Sequence, residues 1–214
     1  MKNQSFKERV RKIAINEAHN YKATFVDYEY LVCSDAFLIK DYYIISAEKN
    51  NYLHLIGVNA LISPLDFFEK CINGSLEESD FNFIKRGQAE GEVKGSVRRK
   101  ILVLPKIMTL FTNDLIVQEN FKRNKLVCSF VASKNNFTIG FVSIDKEKTL
   151  PNTLLTGNIL DPLLSKDVKL LLRRKKGLKK FNEILIGDFD SIIYYFDKIK
   201  SLIDDSIIQQ LKIA

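Results

Sequence analysis

Apolar residues at helical spacing mark the first part of the chain. Phe6, Val10 and Ile13 recur every three or four positions, with lysine and arginine side chains between them. This periodicity predicts an amphipathic helix over residues 4–20. His19 lies near the end of that helix, where a histidine interacts favourably with the helix dipole.

Three apolar runs with strand-like composition come next. YEYLVCS (28–34) and YYIISAE (42–48) alternate and are rich in aromatic and β-branched residues. NYLHLIGV (51–58) is predicted as a third strand, and Asn50 with Asn51 is predicted to form the hairpin turn before it. All three runs are therefore expected in one sheet.

His54, one of only two histidines, lies in the middle of the third run. A strand period of two puts it on the same face as Tyr52 and Ile56. Two interpretations are open. The imidazole is either a core side chain bonded to backbone groups, or a proton-transfer group held on a rigid strand, for which an ordinary pKa near ~6.5 is well suited.

The middle of the chain is predicted to be mostly helical. A serine N-cap followed by proline begins a helix over residues 63–74, and a second short helix is expected over 75–84. Residues 85–96 carry three glycines and many charges, which predicts a mobile loop or loose hairpin. The apolar run 98–111 has helical length, and Pro105 predicts a kink or break in it.

The C-terminal half changes to strand-like alternation. Residues 114–121, 125–133 and 135–144 predict three strands joined by short polar turns. Residues 148–161 predict an extended segment whose closing Asp-Pro pair can start a helix. Residues 168–189 follow as a helix or strand, a basic turn and a last strand.

The whole pattern predicts an α+β fold with a mainly antiparallel sheet and flanking helices. Apolar pairs at helical spacing predict one or two helices in the last part of the chain. The organisation expected is a single domain (1–214), with the helix 4–20, a core over 28–187 and a C-terminal helical appendage over 188–214.

Charge adds a partner class to this picture. The net charge is +7 and the pI is about 9.2, which favours a polyanion such as RNA or DNA over an acidic partner. The alternative is a solvated lysine face that binds nothing in particular. Hydrophobic residues make up 46% of the 214 residues, which is ordinary for a globular protein.

Several functional classes are disfavoured by what the sequence lacks. The three cysteines form no CxxC pair, and no P-loop, GxGxxG, GxSxG, HExxH or EF-hand pattern occurs, so neither a metal nor a cofactor is expected. No apolar run reaches the roughly 18 residues of a membrane span, and the N-terminus lacks the apolar core of a secretory signal. A cytoplasmic protein with free thiols and no membrane contact is predicted.

Two basic clusters and one polar pair are candidates for binding. RRKKGLKK (173–180) holds six cationic residues around a glycine, and Arg98, Arg99 and Lys100 form a second cluster. Either cluster can clamp phosphates or remain a solvated surface turn. Asn152 and Thr153 are polar residues in an apolar setting, suited to bonding a phosphate or to ending a strand.

Six segments in order give the chain a family resemblance. They are NYLHLIGV, SPLDFFEKCINGSL, ILVLPKIMTLF, FTIGFV, LPNTLL and KKFNEI. The order resembles a phage-associated nuclease-like family named after Barnase, EndoU, colicins and RelE, in its fourth phage group. The match runs from about residue 28 to 187; LHLIGV is its most specific piece and LPNTLL the next. The segments 85–96 and 188–214 have no counterpart.

The resemblance implies a metal-independent endoribonuclease whose relatives are RNA-cleaving toxins. A base would remove the proton of a ribose 2′-OH, the oxygen would attack phosphorus, and cations would stabilise the charge that develops. The catalytic candidates are His54, Lys180 and Thr153. The substrate-binding candidates are Arg98, Arg99, Asn152, Arg173, Arg174 and Lys179.

Three functions are compatible with these features. The first is an RNase that acts as a toxin or phage-defence effector, with RNA as its partner and a neutralising protein inhibitor or self-association left open. The second is a nucleic-acid-binding protein that keeps the fold without the chemistry. The third is a phage-related interaction protein that pairs through the apolar stripe of Ile192, Ile193, Phe196 and Ile199.

Overall fold

Residues 4–124, 126–145 and 147–213 are described by a computed structural model. The α-helices in these ranges are α1 (Phe6–Tyr21), α2 (Asn51–Ile56), α3 (Pro64–Ile72), α4 (Glu90–Val103), α5 (Phe189–Ile199) and α6 (Asp205–Ile213). The strands are β1 (Tyr28–Cys33), β2 (Tyr43–Ile45), β3 (Asn59–Ala60), β4 (Phe81–Asn82), β5 (Ile116–Arg123), β6 (Leu126–Lys134), β7 (Phe137–Ser143), β8 (Lys148–Thr156), β9 (Lys166–Asp167), β10 (Leu170–Lys175) and β11 (Glu183–Ile186). No helix in the described ranges is both long and apolar enough to cross a membrane.

Nine strands form one sheet in the order β11-β10-β1-β2-β8-β7-β6-β5-β9, while β3 and β4 form a separate pair. β2 and β8 run parallel, and the other neighbours are antiparallel. The sheet is therefore mixed, and the prediction of a mainly antiparallel sheet is corrected. The parallel pair is possible because helices α2 to α4 and a three-stranded meander connect β2 to β8.

The segment predicted as a third strand is instead helix α2. Its buried residues Tyr52, Leu55 and Ile56 have helical spacing, and Gly57 ends the helix in the left-handed conformation at φ 85°. An apolar run this short fits either period, so alternation alone did not decide. His54 therefore stands on the exposed side of a helix and not on a pleated strand.

Three further local predictions are wrong. Residues 75–84 form a 3₁₀ turn (Glu78–Asp80) and β4 instead of an α-helix. The glycine-rich segment 85–96 is a loop only up to 89, because α4 begins at Glu90 and buries Val93 and Val97 four positions apart. Asp161 and Pro162 begin a turn and not a helix.

The proline break in the run 98–111 is confirmed. α4 ends at Val103 and the chain continues as a 3₁₀ helix over Leu104–Thr109, with Pro105 in its first turn. The strands predicted over 114–121, 125–133 and 135–144 correspond to β5, β6 and β7 within the described residues. Asn135, at φ 52°, makes the hairpin turn between the last two.

The two faces of the sheet are covered by different parts of the chain. Alternate residues of β1 point in opposite directions, with Val32 in the larger core and Leu31 in the smaller one. α5 closes the smaller core with Ile192 and Ile199, while Ile193 of the same stripe remains 60% exposed. Most of the stripe considered for pairing with another chain is thus core.

A buried carboxylate joins four neighbouring strands. Glu29 of β1 is 3% exposed and accepts hydrogen bonds from Ser46 Oγ at 2.7 Å, Lys148 Nζ at 2.8 Å and Arg174 Nε at 2.8 Å. Burial alone would raise the pKa of Glu29, but the bonds from these three partners outweigh it and lower the pKa. The network spans β10, β1, β8 and the residue after β2.

Glu29→Gln is expected to lower the free energy of unfolding by about 3 kcal/mol, because Arg174 stays buried without its counter-charge. The loss should be present above the ordinary glutamate pKa of 4.5 and disappear as the pH falls through the lower pKa of the folded state. Urea unfolding at several pH values measures it. Glu8→Gln, which breaks an exposed pair with Lys12, is the control and should cost less than about 1 kcal/mol; an equal loss in both variants contradicts the prediction.

Candidate functional site

A pocket of about 730 Å³ lies beside the part of β8 that is not paired with β2. β2 pairs with β8 only as far as Thr149, and the chain then turns into α2, which packs beside the rest of β8. The polar side chains of the lining are His54, Asn59, Lys85, Arg86, Lys100, Asn152 and Thr153. Among the described lining residues, none is aspartate or glutamate.

A β-bulge brings Asn152 and Thr153 to the pocket together. Thr153 pairs with Gly140 and Pro151 pairs with Phe141, so Asn152 is the extra residue between them. Successive side chains of a regular strand point to opposite faces, but the bulge lets both polar residues line one pocket. Pro151, which has no N–H to donate, is well placed beside such an irregularity.

Gly140 makes room for the bulge on its partner strand. A Cβ at this position would lie 2.8 Å from Thr153 Cγ2 and 2.6 Å from Cys128 Sγ. Both distances are shorter than van der Waals contact, so any larger residue would displace Thr153. The glycine in the run FTIGFV is therefore part of what positions the pocket.

His54 points out of α2 into this pocket and is exposed. No hydrogen bond joins either ring nitrogen to another residue within the described part of the chain. The side chain is therefore not a sealed core histidine. Partial burial, together with the charges of Lys100 and Lys85, lowers the pKa of His54, so the neutral imidazole predominates at neutral pH.

Lys100 reaches the pocket from α4. Its Nζ donates a hydrogen bond of 2.6 Å to the backbone carbonyl of His54, which is one of the unpaired carbonyls at the end of α2. Desolvation and the charge of Lys85 lower the pKa of Lys100 to about 8. The ammonium group is thus held at a fixed point beside His54 with an easily lost proton.

The turn between β4 and α4 adds two more cations. Lys85 and Arg86 precede Gly87, which takes the left-handed conformation at φ 73° and closes the turn on Gln88. Burial lowers the pKa of Lys85. Neither cation was predicted from the sequence, because the denser basic clusters elsewhere indicated phosphate binding more strongly. The tripeptide KRG, two cations in a glycine turn before a helix, could have indicated them.

Lys100 was recognised as a member of the second basic cluster, but only Arg98 and Arg99 of that cluster were chosen as candidates. Helix geometry separates that cluster. Arg98 stacks on the ring of Phe6 at 5.0 Å, outside the pocket, and Arg99 lines a neighbouring groove. Only Lys100 of the three lines the pocket with His54.

The remaining sequence candidates lie elsewhere and have structural partners. Arg173 is paired with Glu183, and Arg174 with Glu29. The Lys179 carbonyl accepts a hydrogen bond from Arg174, and Lys180 Nζ donates one of 3.3 Å to the Ile203 carbonyl. These residues belong to β10 and the turn after it, and β10 is three strands away from β8 in the sheet.

The pocket thus combines a neutral imidazole with ammonium and guanidinium groups and with two polar side chains on a bulge. Positive charge without a neighbouring carboxylate favours an anionic ligand such as a phosphodiester. A neutral imidazole can accept a proton, and an ammonium with a pKa near neutrality can donate one. The arrangement is suited to proton-transfer chemistry at a phosphate.

No group of three His, Cys, Asp or Glu side chains with metal-binding geometry occurs in the described ranges.

Comparison with known protein families gives a match. A sequence model of the family described as phage-Barnase-EndoU-ColicinE5/D-RelE like nuclease4 matches residues 15–166. The matched range includes every described residue that lines the pocket. Searches of curated proteins and of solved structures find no match.

Gly57→Ala is expected to release Lys100 from its position. A Cβ at residue 57 would lie 2.9 Å from Lys100 Cδ, so the side chain must move toward water and its pKa should rise from about 8 toward the ordinary 10.5. NMR titration of the Lys100 Nζ measures this change.

Gly74→Ala is the matched control for this substitution. Gly74 has a similar φ of 70°, but a Cβ at this position would have no atom within 4 Å. Both variants should lose about 1–2 kcal/mol of stability from the left-handed backbone. An unchanged Lys100 pKa in Gly57→Ala would refute the steric explanation.

Proposed function

Because the chain belongs to this phage-Barnase-EndoU-ColicinE5/D-RelE like nuclease family, we propose that it is an endoribonuclease that cleaves RNA by transesterification without a metal ion. The supporting observation is the pocket in which His54, with no partner for its ring among the described residues, faces three basic side chains. Those cations supply charge stabilisation that a metal ion provides in other nucleases.

His54 is the general base of the proposed reaction. Its neutral imidazole takes the proton of the ribose 2′-OH, and the 2′-oxygen forms a bond to the adjacent phosphorus. The bond from phosphorus to the 5′-oxygen breaks, which leaves a 2′,3′-cyclic phosphate on one product. The lowered pKa of His54 keeps the imidazole unprotonated and ready for this step.

Lys100 is the general acid. Its ammonium gives a proton to the departing 5′-oxygen, and its bond to the His54 carbonyl holds acid and base at one end of α2. The pKa of about 8 leaves the group charged at neutral pH yet able to give up a proton. Lys180, which was expected to stabilise the phosphate, does not line the pocket, and the catalytic lysine is proposed to be Lys100 instead.

The remaining polar groups hold the phosphate. Lys85 and Arg86 are proposed to stabilise the negative charge on the non-bridging oxygens, and Asn152 and Thr153 to orient the nucleotide from the bulge. Arg99 is proposed to bind substrate in the adjoining groove. We further propose that the enzyme acts in the cytoplasm as a toxin or phage-defence effector, where its buried free cysteines remain reduced.

A non-catalytic nucleic-acid-binding protein is the second candidate. The observation that favours it is that the described lining of the pocket contains a single histidine, so proton transfer depends on Lys100 for its second group. Such a protein would bind RNA with an affinity that falls steeply with salt and would not cleave it. Fluorescence anisotropy and a cleavage assay on the same RNA separate the two functions.

His54→Ala is expected to reduce cleavage of labelled RNA in the presence of EDTA by about 10²- to 10⁴-fold, because the general base is lost. The assay measures kcat/KM by gel. His19→Ala is the matched control, since His19 bonds the Ile72 carbonyl and lies outside the pocket. Equal activity in both variants removes His54 from the mechanism, and the absence of cleavage in the unaltered protein counts against the enzyme as a whole.

The pH dependence should report both catalytic groups. The rate rises as the pH passes the pKa of His54, below 6.5, because the base must be unprotonated. It falls above about pH 8, because Lys100 must keep its proton. In Lys100→Gln the residual rate should no longer fall near pH 8. If the rate still falls there, a group other than Lys100 is the general acid. The measurement is kcat/KM from pH 5 to 10.

A further inference from the structure

A second groove adjoins the pocket that contains His54. Its volume is about 510 Å³, and it lies between α4 and the strands β5, β6 and β8. Lys100 and Leu126 line both cavities, so the two form one continuous surface. We call this second cavity the side groove.

Two arginines give the side groove its charge. Arg99 comes from α4, one residue before Lys100, and Arg123 comes from the end of β5. Neither guanidinium has a hydrogen bond, ion pair or ring contact within the ranges that the structure describes. This distinguishes them from Arg173 and Arg174, which are both paired with glutamates.

The wall of the side groove is aliphatic. Leu126, Leu155 and Ile159 line it, and no aspartate or glutamate is among its described lining residues. An arginine pair beside an aliphatic wall suits a nucleotide, since the guanidinium groups can bind the phosphate while the sugar and base cover apolar surface. Lys100 at the junction lies between the two cavities.

We propose that the side groove binds the phosphate of the nucleotide next to the cleaved linkage, so that the substrate is an extended single-stranded RNA and not a dinucleotide. This inference rests on the proposed function of the adjoining pocket. Arg99 and Arg123 bind the phosphate next to the one that is cleaved, and the RNA strand passes over Lys100 from one cavity to the other. Recognition in the side groove depends on phosphate and not on the 2′-OH.

Binding tests the proposal independently of cleavage. A fluorescein-labelled single-stranded DNA 12-mer carries the phosphates but lacks the attacking hydroxyl. Arg99→Gln combined with Arg123→Gln should weaken its binding roughly 10-fold or more, because two charge-assisted contacts are lost. The slope of log affinity against log salt should decrease by about 0.7 for each contact.

The control removes the same charge elsewhere. Lys94→Gln combined with Lys12→Gln deletes two cations that form exposed ion pairs with Glu90 and Glu8, outside both cavities. This pair should leave binding of the 12-mer within about twofold, since distant surface charges are largely screened at physiological salt. If both double variants weaken DNA binding equally, the effect comes from net charge alone and the proposal is overturned. Thermal unfolding checks that each variant folds.

Cleavage gives the second readout. The unaltered protein should have a higher kcat/KM for an RNA 12-mer than for a dinucleoside monophosphate, and the Arg99/Arg123 variant should lose more kcat/KM on the 12-mer than on the dinucleotide, so that the preference shrinks. Equal rates on both substrates in the unaltered protein overturn the side-groove proposal alone. Cleavage of neither substrate, with DNA binding still dependent on Arg99 and Arg123, overturns the proposed nuclease and leaves the groove as a binding site.

Discussion

The buried carboxylate of Glu29 is the constraint on which the sheet and the pocket both depend. A charge that is 3% exposed is tolerated only if it is fully paired, and its partners come from β8, β10 and the end of β2. Lys148 is the first residue of β8, so the contact fixes where that strand begins beside β2. The bulge and the pocket lie only a few residues further along β8.

The pocket results from two features of β8: its short pairing with β2 and the bulge in its pairing with β7. β2 ends at Ile45, so the rest of β8 has no strand beside it on that edge, and α2 packs there instead. α2 ends at Gly57 in the left-handed conformation, and the missing side chain of this glycine leaves space for Lys100. The bulge on the other side of β8 then turns Asn152 toward the same space. Positive charge accumulates there because basic residues arrive from α4 and its preceding turn without any carboxylate among the described lining.

The sequence predicted the meander β5 to β7 because long alternating runs carry a clear period, whereas the short apolar run around His54 fits a helix as well as a strand. His54, Asn152 and Thr153 were candidates, and the structure brings all three to one pocket. The cations were harder to choose. Arg98 and Lys100 are two positions apart on α4, yet one stacks on Phe6 and the other bonds the His54 carbonyl; only the packing of α4 distinguishes them.

The parallel pairing of β2 with β8 also has a kinetic meaning. Ile44 and Lys148 are neighbours in the sheet but are separated by about a hundred residues of chain, so closing that loop is entropically costly and such contacts form slowly. His54 and Thr153 meet only after the loop has closed. A ribosome-bound chain that has not yet emerged past β8 therefore contains the imidazole but not the assembled pocket.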